Sequence, residues 1–485
     1  MAHGFVASDG DLSKEAGEIG SFEGGEQSGL IDARSMVFGA SDLNPNHVRY
    51  GVPGTVRSRA AVVDVDGLLR VDLGDELVLN LFEDATHVGV IDRLDGRSFS
   101  GTIRDGGGSF VIVVNPEAIA GYVSIQDGDI YQISGTGMGD LQIDQVDRLS
   151  LPSCGLDDLA PIDLVDGEDA VATGPIDVDR LPVDGAGVEA NAGGDGELVI
   201  DVMVIYTDDA RADAGGTNQI RAEIDLSIAA SNRAYNNSEI GFQINLVHTQ
   251  EFEYDENTSS YSTYLTQLRV TNDGVLDEVH ELRDLYGADI VTMLVEDGRN
   301  CGVARLMTSL SSSFQSSAFN IVTWYCGAGN LSFPHELGHN MGACHARGDG
   351  GGCNSGGLFS YSVGHRWFAD SGTRYRSVMA YSPGRRIEQF SNPDVLFGGQ
   401  PTGVPNDSNN ALTLNQTSEL ISNFRAENDP CPADLVEDLS LNFLDLSFFL
   451  SAYSDGNSVA DWNEDGLFNF LDLSAFLATF SAGCP

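Results

Sequence analysis

The sequence FPHELGHNMGACH, at residues 333–345, determines the interpretation of this chain. His335 and His339 are four residues apart, so on a helix both imidazoles project from one face, about one turn apart. Gly342 is placed to end that helix, because glycine tolerates the left-handed conformation, and His345 then returns toward the first two histidines. Catalytic zinc sites use three protein ligands and leave a fourth position open. The stretch therefore predicts a helix that ends in a three-histidine zinc site.

A carboxylate stands directly beside the first predicted ligand. Glu336 can reach a water held by the metal and act as its general base. A lone histidine on a helix is usually an ordinary surface or core residue. Here five fixed positions of the pattern HExxHxxGxxH coincide, and the expected number of chance matches is on the order of 10⁻⁵. The pattern therefore indicates a hydrolytic zinc site.

These five positions resemble the metzincin signature, which implies a Met-turn further along the chain. The sequence SVMAY at residues 377–381 fits that turn, and the resemblance implies that Met379 packs beneath the histidines without binding the metal. Tyr381 matches the tyrosine that approaches the metal in astacins and serralysins, which implies that it stabilises the oxyanion of the tetrahedral intermediate. An ordinary core tyrosine is the alternative.

The resemblance covers residues 198–428 and is greatest to the reprolysin-like and peptidyl-Asp metalloendopeptidase groups. The chain departs from reprolysins at Ala346, where they usually carry aspartate after the third histidine. Peptidyl-Asp enzymes cut before acidic residues, which implies an acidic preference as a hypothesis. Four arginines near the motif in sequence are candidates to recognise such a residue: Arg347, Arg366, Arg374 and Arg376.

Composition limits the possible partners. The 485 residues include 73 acidic and 25 basic side chains, a net charge of −48, which argues against nucleic acid and anionic membrane surfaces. We interpret this acidity as solubility in a salty medium, with a specific basic partner as the alternative. No stretch is apolar and long enough to span a bilayer. The first twenty residues lack an export signal, but the cysteines favour an oxidising compartment, so we expect an extracellular or cell-surface protein whose signal peptide is trimmed or lies upstream.

The chain divides into five predicted segments. They are a disordered segment (1–45), a β-rich propeptide (46–155), a flexible activation linker (156–197), the zinc peptidase domain (198–428) and a small helical domain (429–485). Short alternating runs predict β-strands at 60–65, 97–103, 109–114, 121–125 and 130–133. Beyond residue 198, apolar strands alternate with helices, which predicts an α/β domain on one mixed sheet. Its predicted strands are 198–206, 241–248, 288–295 and 318–325, and its predicted helices are 219–235, 275–286 and 411–425.

Seven cysteines leave one thiol over if the rest form disulfides. Chain order favours the pairs Cys301–Cys326, Cys344–Cys353 and Cys431–Cys484, which leaves Cys154 in the sequence LPSCG. That sequence resembles the cysteine switch of matrix metalloproteases and of reprolysin precursors. The resemblance implies that the Cys154 thiolate occupies the fourth zinc position until the linker is cut. A buried thiol without function, or an intermolecular disulfide, is the alternative.

The tail contains an internal repeat, LSLNFLDLSFFLSAYS and DGLFNFLDLSAFLATFS. Its second copy has calcium-loop chemistry, with oxygen ligands at loop positions one, three, five, seven and twelve and glycine at six. The first copy, at 434–445, lacks two of these features, so we expect one good Ca²⁺ site and one weak or empty one. The repeat resembles dockerins, which implies docking to a cohesin-like or cell-surface partner; a calcium-stabilised helical pair without a partner is the alternative. The predicted ligands are Asp461, Asn463, Asp465, the Leu467 carbonyl and Asp472.

The leading hypothesis is thus a secreted zinc endopeptidase, kept latent by Cys154, that acts on proteins or peptides with Glu336 as general base. The second hypothesis is a catalytically silent, zinc-bearing adhesion or scaffold protein in which the dockerin-like tail carries the function. The presence of Glu336 disfavours this second hypothesis. A different zinc hydrolase on a zincin-like sheet is a third possibility, which the Met-turn disfavours.

Overall fold

The computed structural model describes residues 39–40, 52–104, 107–115, 117–125, 130–137, 139–155, 198–256, 260–426, 428, 430–436, 441–463 and 467–483. These residues all belong to one compact unit, Arg34–Pro485. The predicted linker at 156–197 lies outside the described residues, as does most of the segment at 1–45.

The N-terminal region forms one antiparallel sheet of nine strands in the order β1-β2-β9-β8-β7-β6-β5-β4-β3. A short helix, α1 (Val65–Leu68), follows the second strand. Gly39–Ala40, in the segment expected to be disordered, pairs with the second strand. Besides β1, three further strands that the sequence did not predict, the third, fourth and ninth, complete the sheet. The bounds are β1 Gly39–Ala40, β2 Thr55–Val62, β3 Glu76–Phe82, β4 Ala85–Asp95, β5 Ser98–Ile103, β6 Gly108–Val114, β7 Ala118–Ile125, β8 Ile130–Thr136 and β9 Asp140–Val146.

This sheet is apolar on both faces because each face covers a different hydrophobic cluster. Residues such as Leu79, Phe110 and Ile133 form a cluster within the β-rich region itself. Val113 and Tyr122 instead belong to the largest cluster, which they share with residues beyond 198. Sharing a buried apolar cluster removes both surfaces from water, so the β-rich region is packed firmly against the α/β region.

The α/β region is built on a five-stranded mixed sheet in the order β11-β10-β12-β14-β13. The first four strands in that order are parallel to their neighbours, whereas β13 runs antiparallel to β14 at the edge. The predicted mixed sheet is therefore confirmed, with the short edge strand added. The bounds are β10 Leu198–Thr207, β11 Phe242–Phe252, β12 Ile290–Val295, β13 Gly302–Ala304 and β14 Phe319–Thr323.

Helices cover this sheet and carry the motif. Three of them match predicted helices with shifted ends, and the motif lies on a fourth. The predictions missed two further helices, at 208–214 and 261–269. The bounds are α2 Asp208–Ala214, α3 Thr217–Asn237, α4 Tyr261–Arg269, α5 Glu278–Leu285, α6 Ser332–Asn340 and α7 Asn410–Ile421. Short strands follow the motif at β15 Arg366–Phe368, β16 Arg374–Arg376, β17 Arg385–Arg386, β18 Leu396–Phe397 and β19 Gln400–Pro401.

The tail forms two helices, α8 (Phe443–Asp455) and α9 (Phe470–Ala482), one from each copy of the repeat. Each begins with a capping box, and the rings of Phe449 and Phe476 stack with centroids 4.1 Å apart. None of the helices formed by the described residues combines the length and the hydropathy needed to cross a membrane.

Two predicted disulfides, Cys301–Cys326 and Cys344–Cys353, are present. Cys431 is disulfide-bonded as well, and its predicted partner, Cys484, lies outside the described residues. Cys154 is a buried thiol.

Candidate metal centre

Helix α6 presents two of the three predicted zinc ligands from a fully buried position. It packs against β13 and β14, and Asn340 at its end links it to that sheet. The Asn340 amide nitrogen donates to the carbonyls of Arg305 (3.0 Å) and Phe319 (3.2 Å), and its side-chain oxygen accepts from Asn320 (3.0 Å). These hydrogen bonds fix the direction in which His335 and His339 point.

The three histidines converge through their Nε2 atoms. The Nε2 atom of His345 lies 3.1 Å from that of His335 and 2.9 Å from that of His339. A tetrahedral zinc ion with Zn–N bonds of about 2.0–2.1 Å separates its nitrogen ligands by about 3.3–3.4 Å. The spacing of the imidazoles thus fits one small metal ion held among them.

Hydrogen bonds set the tautomers of the two helical ligands. Nδ1 of His335 lies 3.0 Å from the Val378 carbonyl, and Nδ1 of His339 lies 2.9 Å from the Ala343 carbonyl. A carbonyl only accepts, so each Nδ1 carries the proton and each Nε2 presents a lone pair. Burial lowers the pKa of His339 to about 4 and holds the pKa values of His335 and His345 well below the ordinary range. All three imidazoles are therefore neutral and able to bind a metal at neutral pH.

The turn after α6 brings back the third histidine. Gly342 has a φ of +88°, and a Cβ there would stand 2.6 Å from Cβ of Leu358, so any side chain at this position is strained. The Cys344–Cys353 disulfide and a backbone bridge between Cys344 and Val363 then fix the segment that carries His345. The glycine predicted to end the helix does so for the conformational reason that the sequence suggested.

Glu336 lies beside the three imidazoles and is fully buried. Edge strand β13 approaches it so closely that a Cβ on Gly302 would stand 2.6 Å from its Oε1 atom. Burial raises the pKa of Glu336 to about 8, against the lowering effects of the Cys154 thiol and of Arg386. A divalent cation nearby lowers that pKa again, because it favours the carboxylate.

Cys154 reaches the centre from the end of the β-rich region. Its Sγ atom lies 3.7 Å from His339 Nε2 and 3.6 Å from Glu336 Oε2. For tetrahedral zinc, a sulfur and a nitrogen ligand are separated by about 3.5–3.6 Å. Among the described residues, Cys154 and the three histidines form the group able to hold a metal ion, with ligand atoms within 4.8 Å of one another.

A match to a family model covers residues 197–391, and the family is described as metallo-peptidase family M12. Peptidyl-Asp metalloendopeptidases from two strains of Stenotrophomonas maltophilia, R551-3 and K279a, are each 30% identical to this chain over 343 residues, which cover 69% of this chain and 74% of the relative. The same-named protein of Xanthomonas campestris pv. campestris is 33% identical over 248 residues, covering 50% of this chain and 56% of the relative. The chain belongs to the M12 metallopeptidases.

This M12 enzyme is therefore a zinc metalloendopeptidase that acts on proteins or peptides. Its architecture is multi-domain, with a β-rich N-terminal region and an M12 catalytic domain. Family membership and the presence of Glu336 together disfavour the silent scaffold protein, and the M12 match disfavours an unrelated zinc hydrolase.

The Met-turn lies beneath the centre. Met379 is fully buried, and its sulfur faces Gly338 of α6. The Tyr381 ring packs against the His345 ring with centroids 4.1 Å apart, and its hydroxyl donates to the Cys154 carbonyl at 2.9 Å. Both residues thus adjoin the histidines in this M12 enzyme.

A carboxylate that the sequence did not single out holds this turn in place. Asp349 accepts from the Tyr381 amide at 2.8 Å and forms an ion pair with Arg366. It follows Ala346, where reprolysins usually carry aspartate, by three residues. Asp349 thus places a carboxylate against the Met-turn, although the position that carries aspartate in reprolysins is an alanine here.

The β-rich region is attached to the M12 domain through a buried polar network. Glu388 of the catalytic domain accepts from Tyr122 (2.8 Å) and Ser109 of the sheet. Arg233 on α3 donates to Glu388 (3.0 Å) and to Asp92 of the sheet (2.6 Å). Burial alone would lower the pKa of Arg233, but these two carboxylates raise it above its ordinary value. The network compensates the desolvation of each charge.

The predicted calcium ligands are only partly described. Asp465 lies outside the described residues, whereas Asp461, Asn463, Leu467 and Asp472 are within them. The buried Asp472 carboxylate accepts from the backbone amides of Asn463 (3.3 Å) and Asn469 (2.8 Å). Its contacts therefore stabilise the start of α9.

Sequence reasoning missed Gly302, Asn340, Asp349, Arg386 and Glu388. Four of them contact the centre or the β-rich region, Asn340 links the motif helix to the sheet of the catalytic domain, and the partners are distant in sequence. No local spacing identifies such a residue.

Proposed function

We propose that the enzyme hydrolyses peptide bonds with His335, His339 and His345 as zinc ligands and Glu336 as general base. When bound there, Zn²⁺ supplies Lewis acidity that polarises a carbonyl and lowers the pKa of water to roughly 7. Glu336 takes a proton from the attacking water and passes it to the amine nitrogen that leaves. The observation that carries this proposal is the convergence of the three Nε2 atoms beside a buried carboxylate.

Tyr381 supplies a hydroxyl donor for the oxyanion in this proposal. Its ring is held against His345, and its hydroxyl donates to a carbonyl oxygen, that of Cys154. That contact supports the role, because the same hydroxyl would face a substrate carbonyl after Cys154 is withdrawn.

We further propose that Cys154 keeps the precursor latent and that a cut within residues 156–197 begins activation. The backbone beside Cys154 pairs with the edge strand: Gly155 donates to the Gly302 carbonyl (2.8 Å) and Cys301 donates to the Ser153 carbonyl (3.1 Å). Together with the thiol beside His339, these contacts support a segment that excludes both water and substrate.

Three further proposals concern the substrate, the location and the C-terminal domain of the enzyme. The relatives' printed name, peptidyl-Asp metalloendopeptidase, supports a preference for acidic residues next to the cleaved bond. The cysteine content supports secretion. The oxygen-bearing residues in the loop of the tail support one Ca²⁺ site in a dockerin-like domain (429–485), which would bind a cohesin-like or cell-surface partner.

Casein cleavage by the zinc-loaded full chain, measured before and after limited proteolysis of the linker, tests the proposal. We expect cleavage only after proteolysis, loss of it with a chelator, and a fall of about 10²- to 10⁴-fold in Glu336→Ala. Glu419→Ala, which removes an exposed carboxylate from α7, is the matched control. Full activity in Glu336→Ala would refute the general base. A Cys154→Ala precursor as silent as the wild-type precursor would refute the cysteine latch.

A further inference from the structure

Arg386 is a buried guanidinium with little to compensate its charge. Its exposed fraction is 7%, and its Nη1 atom donates to the Asn330 carbonyl at 2.6 Å. Within the described part of the chain, its Nε atom has no hydrogen-bond partner, and none of the ion pairs there includes it. Burial of an unpaired charge is strongly unfavourable, so an arginine kept in this state calls for a further explanation.

The guanidinium is anchored just before the start of the motif helix, through its bond to the Asn330 carbonyl. Strand β17, which carries Arg386, follows the Met-turn, and Asn330 lies two residues before the start of α6. Burial lowers the pKa of Arg386 to about 10, while Tyr381, Cys154 and Glu336 act to raise it. A fixed positive charge thus acts on the groups proposed to carry out the reaction.

The arginines predicted from the sequence are engaged elsewhere. Each has a partner that satisfies its guanidinium or keeps it on the surface. Those partners are Asp407 for Arg347, Asp349 for Arg366, the Phe368 ring for Arg374, and the carbonyls of Gly384 and Ala380 for Arg376. Among the arginines near the motif in the described chain, Arg386 thus combines burial with an unused donor.

In the precursor the β-rich region covers this strand. Arg148, which follows β9, donates to the carbonyls of Arg386 (2.6 Å) and Gly329 (3.2 Å). Departure of the region removes Arg148 and so uncovers the Arg386 carbonyl on this strand.

We propose that Arg386 binds the carboxylate of an acidic substrate side chain next to the cleaved bond and so determines specificity. This inference rests on the acidic preference in the proposed function. An arginine binds a carboxylate through two parallel hydrogen bonds, which the unused Nε and a terminal nitrogen provide. The isosteric amide gains no ion pair and turns a donor toward the guanidinium, so the site discriminates aspartate from asparagine.

The test uses the zinc-loaded full chain after linker cleavage and three peptides that differ only in Asp, Asn or Ala after the scissile bond. We expect Arg386→Gln to reduce the Asp-to-Asn ratio of kcat/KM by about 10-fold or more, and to leave kcat/KM for the Ala peptide within about 3-fold. Arg386→Lys keeps the charge and should retain part of the preference. Arg385→Gln, which removes the exposed arginine next to Arg386 on β17, is the matched control and should keep the wild-type ratio.

An unchanged ratio in Arg386→Gln, or an equal fall for all three peptides, would overturn the role of Arg386. If Arg386→Gln does not fold, judged by zinc content and thermal unfolding, Arg386→Lys decides: a wild-type ratio in that variant refutes the inference. Equal cleavage of the three peptides by the wild type would instead refute the acidic preference itself. The two failures are therefore distinguishable.

Discussion

Tyr122→Phe should loosen the attachment of the β-rich region without changing the catalytic domain. The hydroxyl of Tyr122, a residue 1% exposed, donates to Glu388 Oε1 at 2.8 Å across the boundary between the two regions. Ser109 and Arg233 still satisfy the carboxylate after the substitution. The change therefore removes one buried hydrogen bond to a charged group and leaves no unsatisfied charge behind.

Such a hydrogen bond contributes about 1.5–3 kcal/mol. Since every 1.4 kcal/mol is a factor of ten, the open form of the full chain should become about 10- to 150-fold more populated. The buried Cys154 thiol is the reporter, because a thiol reagent reaches it only when the region opens. Under conditions in which closing is faster than labelling, the labelling rate is proportional to the open fraction.

We therefore expect Cys154 in Tyr122→Phe to react about 10- to 150-fold faster than in the wild type. Tyr361→Phe is the matched control, since its hydroxyl contacts Gln416 on the catalytic domain, and its rate should stay within about twofold. Equal labelling rates in Tyr122→Phe and the wild type would refute the reasoning, because they would mean that the Glu388 hydrogen bond contributes nothing to closure.

Three further predictions concern the centre itself. Gly342 has a φ of +88°, and an added Cβ would stand 2.6 Å from Leu358. Gly342→Ala should therefore lower the free energy of unfolding by about 2–4 kcal/mol in a denaturant titration and reduce the zinc content found by metal analysis. Unchanged stability would contradict the strain. Replacing both Cys344 and Cys353 by alanine opens a loop of sequence separation 9, which should cost about 2.5 kcal/mol in the same titration. Chelation should abolish activity and lower Tm, and Zn²⁺ should restore both. The Tm falls because a ligand at 100 times its Kd stabilises the folded state by about 2.7 kcal/mol. A chelator without effect on activity or Tm would exclude a metal at the histidines.

The motif could be predicted because its information is local. A spacing of four places His335 and His339 on one helical face, and the glycine that ends the helix has a φ of +88°. The continuous apolar run at 198–206 likewise predicted β10, since a strand buried on both faces needs no polar alternation. In such segments the chain's own periodicity determines the structure.

Two elements were missed although the sequence contains their signal. Strand β3 (ELVLNLF) buries every second residue, and α4 buries Tyr261, Tyr264, Leu265 and Leu268 at helical spacing. Polar residues between the leucines of β3 and between the tyrosines of α4 made both patterns hard to recognise. The roles of Arg386 and Glu388 had no such signal, because partners such as Tyr122 and Glu388 are 266 residues apart and only the tertiary packing brings them together.

The placement of these contacts also determines what a cut in the linker can achieve. The described contacts that hold Cys154 at the centre come from Ser153, Gly155 and the sheet before them. A cut at 156–197 therefore removes the covalent tether but leaves the thiol beside His339 until the β-rich region dissociates. We expect activity to lag behind linker cleavage, and the lag to shorten in Tyr122→Phe because its attachment is weaker. Linker cleavage followed on a gel and casein hydrolysis followed in parallel measure that lag. Simultaneous onset in the wild type would mean that the tether, and not the buried network around Glu388, keeps the region in place.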